Sequence, residues 1–155
     1  MEKQIIRLRI NGEEHELEIS ANETLLEVLR ERLGLTGAKE GCQDGSCGSC
    51  TILLDGKPAR ACLILAVEAE GKDILTIEGL SRDNELHPIQ QAFINHGGIQ
   101  CGFCTTGMIL TAKALIDSNP EPTEAEVKEA ISGNLCRCTG YTKIVESIIA
   151  ATKRG

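Results

Sequence analysis

The sequence is nearly without aromatic side chains: among 155 residues there is no Trp, one Tyr and two Phe. Nucleobases and flat cofactors held by stacking need aromatic faces, so that mode of recognition is excluded as a main activity. Positive charge is also scarce. Sixteen Lys and Arg stand against 23 Asp and Glu, a formal net charge of −7, and the one basic cluster is the terminal pair Lys153-Arg154. A phosphate backbone requires a basic face, so nucleic acid is not an expected partner. Long apolar runs are missing too. The segment MEKQIIRLRI alternates charged and apolar residues, whereas an export signal needs an apolar stretch of about 7–15 residues and a membrane span about 20. A cytoplasmic protein without a membrane span is expected. Apolar residues at 41% and charged residues at 25% are ordinary for a folded globular chain, long enough for one domain or two small ones.

What the sequence does have is cysteine, eight times: Cys42, Cys47, Cys50, Cys62, Cys101, Cys104, Cys136 and Cys138. Disulfide frameworks serve short secreted chains without a core, which does not describe this one. Zinc ribbons pair two Cys-x2-Cys knuckles about 15–20 residues apart. Here the pairs Cys47/Cys50 and Cys101/Cys104 are far more widely separated, and Cys136-Arg137-Cys138 has a single intervening residue. Iron–sulfur ligation fits better. Cys42, Cys47 and Cys50 follow the C-x4-C-x2-C spacing of plant-type 2Fe–2S sites, and Cys62 supplies the distant fourth thiolate. Glycines interleave with the cysteines in GCQDGSCGSC. They give a tight loop the backbone freedom to wrap a cluster and aim N–H groups at its sulfurs. Cys101, Cys104, Cys136 and Cys138 form a second set of four. Four thiolates suit a second 2Fe–2S centre, although spacing alone leaves another metal open for this set.

The periodicity changes along the chain. Ile6, Leu8 and Ile10 alternate with arginines, Asn11-Gly12 signals a type I′ hairpin, and His15, Leu17 and Ile19 alternate with glutamates. His15 reads as a strand-edge residue with its tip in solvent. A helix is predicted from about Thr24 to Leu33, with Thr24 and Glu27 as a capping box and Gly34 as its stop. Thr51 to Leu54 and Ile74 to Ile77 read as strands, with a turn at Asp55-Gly56. GLSRDNEL, residues 79–86, reads as a linker. After it, helices are predicted near 88–96, 105–118, 124–132 and 140–152, forming a small bundle. The apolar stripe Ile144, Val145, Ile148, Ile149 is core or a partner-facing surface. Both pairs of the second cysteine set, Cys101/Cys104 and Cys136/Cys138, therefore sit before helix starts, where unpaired N–H groups favour an anionic cluster.

GCQDGSCGSC, IQCGFCTTGM and GNLCRCTGY, in this order, closely resemble the iron–sulfur subunit of the xanthine oxidase family of molybdenum hydroxylases, and the resemblance covers essentially the whole chain. It implies an α+β architecture: an N-terminal β-grasp plant-type ferredoxin domain, residues 1–79, followed by a C-terminal four-helix domain, residues 80–155. It implies two 2Fe–2S clusters, one on Cys42, Cys47, Cys50 and Cys62 and the other on Cys101, Cys104, Cys136 and Cys138. Gln100 and Cys138 match residues that contact the pterin. The implied partners are a molybdopterin-binding large subunit and an FAD-binding medium subunit, in a heterotrimer or a dimer of heterotrimers. The implied role is electron relay between molybdenum cofactor and flavin in an oxidoreductase complex, with no catalytic residue in this chain. A purine or N-heterocycle dehydrogenase is the substrate expectation from family breadth. An independent 2Fe–2S ferredoxin is the alternative, although it has no need of the second cysteine set. Two departures are visible. Thr105-Thr106 stands where the family often has Thr-Pro, and Thr is expected to cap that helix instead. Ser46 and Ser49 stand where Glu and Ala are common, and losing a carboxylate there would raise the cluster potential. Eight thiolates and two cores of charge +2 would take the chain's formal charge from −7 to about −11.

Overall fold

Residues 2–152 are described by a computed structural model of the chain; the pair Lys153-Arg154 lies outside them. The opening hairpin follows from the sequence pattern. Strands β1 (Lys3–Ile10) and β2 (Glu13–Ser20) pair antiparallel, with Leu8 opposite His15. Asn11 and Gly12 take φ of 54° and 84°, the left-handed pair that a two-residue I′ turn requires. Ile6, Leu8 and Ile10 point inward and are buried, while on the outer face Arg7 meets Glu16 at 2.9 Å and Lys3 meets Glu18 at 3.1 Å. His15 is half-buried at the sheet edge.

Helix α1 (Leu25–Glu27) starts with the predicted box. The Thr24 N–H donates to Glu27 at 2.7 Å, and the Glu27 N–H donates back to the Thr24 hydroxyl at 3.2 Å. The predicted helix 24–33 is not uniform, because residues Val28–Arg32 widen into a π turn in which the Leu33 N–H donates to the Val28 carbonyl. The wider turn keeps Leu25, Leu26, Val28 and Leu29 buried together. It also carries Arg30 to the carbonyls of Thr36 and Ala38, at 2.9 and 2.8 Å, where it holds the chain entering the cysteine loop.

Strands β3 (Thr51–Leu54) and β4 (Lys57–Arg60) form a second hairpin through Asp55-Gly56. The sequence reading did not include β4. Its Pro58 is tolerated because β4 is an edge strand, where a missing N–H costs no ladder bond. Strand β5 (Asp73–Leu75) is shorter than predicted. Beyond it Thr76 turns to exchange hydrogen bonds with the Asn11 amide, both at 2.9 Å, and a 3-10 turn follows at Ile77–Gly79. The sheet order is β2-β1-β5-β3-β4, with β1 and β5 parallel and the remaining pairs antiparallel. With α1 against it, this is the β-grasp arrangement.

Four helices complete the fold: α2 (Pro88–Asn95), α3 (Thr105–Ser118), α4 (Glu124–Ala130) and α5 (Thr142–Thr152). They lie where the periodicity placed them, with one instructive difference. α5 begins at Thr142 rather than 140, because Gly140 and Tyr141 both take left-handed φ. Period-2 alternation along β3 then sorts two cores. Ile52 packs with Leu8, Ile10, Leu25 and Leu29 on one side, and Leu53 packs with Phe93, Met108, Leu110 and Ile144 on the other. Helix α3 lies on β3 and β4, and α5 lies on α2 and α4. The stripe on α5 is therefore core: Ile144, Val145 and Ile148 are buried and Ile149 is half-buried.

Candidate metal centres

The first four cysteines are gathered by the loop at 41–50 and the β3–β4 hairpin. Pairing of Thr51 with Arg60 brings their neighbours together, so that Cys50, buried before β3, and Cys62, in the turn after β4, place their sulfurs 3.4 Å apart. The loop folds its own N–H groups onto sulfur. Cys47 donates to the Cys42 Sγ at 3.3 Å, and Ser49 donates to the Cys47 Sγ at 3.4 Å. The Asp44 carboxylate pushes the Cys42 thiol up, but the Ser46 hydroxyl and the N–H groups of Cys47 and Asp44 outweigh it and hold that thiol at about 7. Cys62 moves the other way, to about 11, because of burial and then the neighbouring Cys50 thiol. Asp44 itself accepts from the Ser46 hydroxyl at 2.6 Å and its N–H at 3.0 Å, which with the Cys42 contact holds it at about 2. The loop thus keeps an ionised carboxylate beside its first cysteine.

The second four converge from the starts of α3 and α5. Cys104 is the N-cap residue of α3, and its thiol meets that of Cys136; Cys138 meets Cys101. Burial, then the Cys136 thiol, raises Cys104 to about 12, and the Cys101 thiol raises Cys138. Burial also pushes Cys136 upward, yet its thiol is held low overall by Thr139, whose hydroxyl and N–H donate to the sulfur at 3.1 and 3.5 Å. The Cys136 N–H donates to the Tyr141 hydroxyl at 3.0 Å, a contact made possible by the left-handed turn at 140–141. The hydrogen bonds to the Cys136 sulfur thus come from Thr139, ahead of α5, rather than from the first turn of α5. Nor does Thr105 cap α3: Cys104 makes no side-chain cap bond, and the Thr106 hydroxyl instead donates to the Gly37 carbonyl at 2.8 Å. Gln100, Cys101 and Cys138 are all exposed on one stretch of surface beside the exposed Phe103.

Between the two sets runs a seam that sequence reading missed. The Leu135 N–H donates to the Cys47 carbonyl at 2.8 Å, so one hydrogen bond and one residue separate Cys47 from Cys136. Asn134, 2% exposed, donates to the Gly48 carbonyl at 3.2 Å and the Thr51 hydroxyl at 3.3 Å, and accepts from Thr111 at 3.0 Å. Gly48 has φ +74°, and a Cβ there would lie 2.5 Å from the Gly133 carbonyl, so only glycine lets the two backbones meet. The signal for Asn134 was its place in GNLCRC; nothing local marked its partners across the seam. A cleft of about 850 Å³, lined by Arg9, Asn11, His15, Arg82 and Lys113 among others, touches none of the cysteines.

All eight cysteines are free thiols. Among the described residues no three Cys, His, Asp or Glu groups converge on a single point as one metal ion requires; three pairs of sulfurs approach instead, Cys50 with Cys62, Cys104 with Cys136 and Cys101 with Cys138. A two-iron cluster takes two thiolates per iron, so the donor set, its pairing and the N–H groups aimed at sulfur fit 2Fe–2S centres. The loop is also cut to this use at Gly41, where an added Cβ would lie 2.9 Å from the Cys47 Sγ.

Comparison with known proteins agrees with this geometry. Residues 8–76 match the 2Fe-2S iron-sulfur cluster binding domain family, and residues 76–149 match a further [2Fe-2S] binding domain family. The chain is 49% identical over 154 residues to the nicotinate dehydrogenase small FeS subunit of Eubacterium barkeri, covering 99% of this chain and 98% of that one. Quinoline 2-oxidoreductase from Pseudomonas putida contains a chain that superposes with a TM-score of 0.94 at 48% identity, covering 97% of this chain and 94% of that one. The aldehyde oxidoreductase of Desulfovibrio desulfuricans superposes equally well at 44% identity, covering 97% of this chain but 17% of that one.

Proposed function

The chain belongs to the 2Fe–2S small subunits of the xanthine oxidase family of molybdenum hydroxylases, and we propose that it serves a dehydrogenase acting on an N-heterocyclic substrate. It is an electron-transfer subunit with two 2Fe–2S centres, and substrate chemistry belongs to a molybdopterin-bearing partner. In our reading Cys42 and Cys47 hold one iron of the first centre and Cys50 and Cys62 the other. Cys101 with Cys138, and Cys104 with Cys136, hold those of the second. The 3.4 Å approach of Cys50 and Cys62 supports this pairing. When bound, each centre supplies a site that gains or loses one electron without transferring a proton.

The chain's own residues set the conditions for that exchange. Backbone N–H groups and the Thr139 hydroxyl stabilise negative charge on sulfur, favouring the reduced state. Exposure of Gln100, Cys101 and Cys138 leaves the second centre facing a partner, so Gln100 and Cys138 are assigned to contact the pterin. The first centre is assigned to face an FAD-binding subunit, in a heterotrimer or its dimer. Residues 1–79 and 80–155 act as the two cluster-bearing units, and cytoplasmic assembly follows from thiols that must stay reduced before loading. The single observation that carries the reading is the gathering of eight free thiols into two sets joined at Cys47–Leu135. Nicotinate, quinoline, purines and aldehydes offered to the purified complex would identify the substrate class. Iron and sulfide analysis with electron paramagnetic resonance tests the sites. The expected result is two distinct signals, with Cys138→Ala removing one and leaving flavin unreduced by substrate. Zinc without iron, or normal flavin reduction in that variant, refutes the assignment.

A further inference from the structure

Arg60 is the last residue of β4, two positions before Cys62, and its guanidinium reaches three segments. Nη1 donates to the Thr51 hydroxyl at 2.8 Å, Nη2 to the Gly133 carbonyl at 2.7 Å, and Nε to the Gly45 carbonyl at 3.4 Å. Gly45 lies inside the first cysteine loop. Gly133 lies just ahead of Asn134, Leu135 and Cys136 in the second. Gly133 is itself shaped for this contact, since a Cβ there would sit 2.5 Å from Arg60 Nη2. The same guanidinium therefore grips both loops, and it does so beside the Leu135–Cys47 hydrogen bond that joins them.

We infer that Arg60 is a positioning residue for electron exchange between the two centres: its fork fixes the first cysteine loop against the second, and its permanent charge favours the reduced state of both. The inference rests on the assignment of the eight cysteines given above. A planar guanidinium can serve three carbonyl and hydroxyl acceptors from one rigid fork, which a lysine ammonium cannot. An electron leaving the second centre is gained by the first, so any loosening of the seam acts directly on the step between them.

The test uses the assembled, cluster-loaded complex and two readouts that a merely structural residue would leave alone. One is the midpoint potential of each centre from redox titration. The other is the magnetic interaction between the two reduced centres, read from the splitting of their electron paramagnetic resonance signals. Arg60→Lys keeps the charge and loses the fork, so potentials are expected to stay near the parent values while the splitting changes and exchange slows several-fold. Arg60→Gln loses both, so both potentials are expected to fall as well. Gly133→Ala perturbs the same contact from its other side and covers the case in which Arg60→Gln fails to load. Two normal signals with unchanged splitting in Arg60→Lys and Gly133→Ala would overturn the role of Arg60 while leaving the cluster assignment intact. Absence of the two signals in the parent complex would overturn the assignment itself.

Discussion

Replacing Gly48 by alanine tests whether the seam between the two cysteine sets carries stability of its own. Two costs combine there. Gly48 has φ +74°, and an L-residue in that conformation costs about 1–2 kcal/mol. The new methyl would also lie 2.5 Å from the Gly133 carbonyl, 2.8 Å from the Asn134 amide nitrogen and 3.1 Å from the Asn134 Cα. Two of those are backbone atoms that cannot swing aside, so the loops must separate. Separation strains or breaks the bonds from Leu135 to Cys47, from Asn134 to Gly48 and from Arg60 to Gly133, each worth about 0.5–1.5 kcal/mol. The total is about 3–6 kcal/mol, a large part of the ~5–15 kcal/mol that holds a typical domain folded. Gly56→Ala is the control. Its φ is +79° but nothing lies within 4 Å of the added carbon, so it costs only the backbone share, about 1–2 kcal/mol. The measurement is denaturant unfolding of both variants at equal iron content, alongside the parent. Equal destabilisation of the two variants would refute the reasoning, because the seam would then contribute nothing beyond the conformation of one residue.

Phe93 is fully buried in the helical core, so Phe93→Ala should cost about 3–5 kcal/mol in unfolding free energy; under 1 kcal/mol would mean the second core is not packed as described. Thr123 caps α4 by accepting the Glu126 N–H on its hydroxyl, and its own N–H donates the return bond to the Glu126 carboxylate, so Thr123→Ala should destabilise by about 1 kcal/mol, measured as a shift in unfolding midpoint with iron content unchanged. His87 caps α2 by accepting the Ile89 N–H on Nδ1 at 3.2 Å, and burial, followed by the charge of Lys113, lowers its pKa below the ordinary 6.5. The unfolded chain then binds the proton more readily, so this contribution is complete above pH 6.5 and is lost as the pH falls through the lowered folded value. The measurable signature is a drop in stability below that point that is absent in His87→Asn, which caps without titrating; identical pH profiles for the two proteins would sink it.

Much of the fold was legible because its signals are local. Asn11-Gly12 fixes its own hairpin, Thr24 with Glu27 and Thr123 with Glu126 fix their own helix starts, and Ile144, Val145, Ile148 and Ile149 recur at the period of the helix that carries them. What escaped the reading was settled by neighbours distant in the chain. Strand β4 carries Lys57 and Pro58, a poor strand sequence, and exists because it pairs with β3 at the sheet edge. The π turn after α1 answers the packing of Leu29 and the reach of Arg30, neither of which has a periodic signature. A threonine of the pair Thr105-Thr106 was expected to cap α3, but Cys104 holds the N-cap position and the Thr106 hydroxyl found the Gly37 carbonyl instead.

By itself the sequence pointed to iron–sulfur chemistry through the C-x4-C-x2-C spacing of Cys42, Cys47 and Cys50, while spacing alone left the metal of the second four cysteines open. Tertiary structure alone decided how the two sets face each other. Asn134, Arg60 and Gly48 have no motif that foretells their meeting, because buried carbonyls must find donors wherever the packed backbone brings them. Here that requirement is met across the boundary between sheet and helices, and it leaves Cys47 and Cys136 one hydrogen bond and one residue apart.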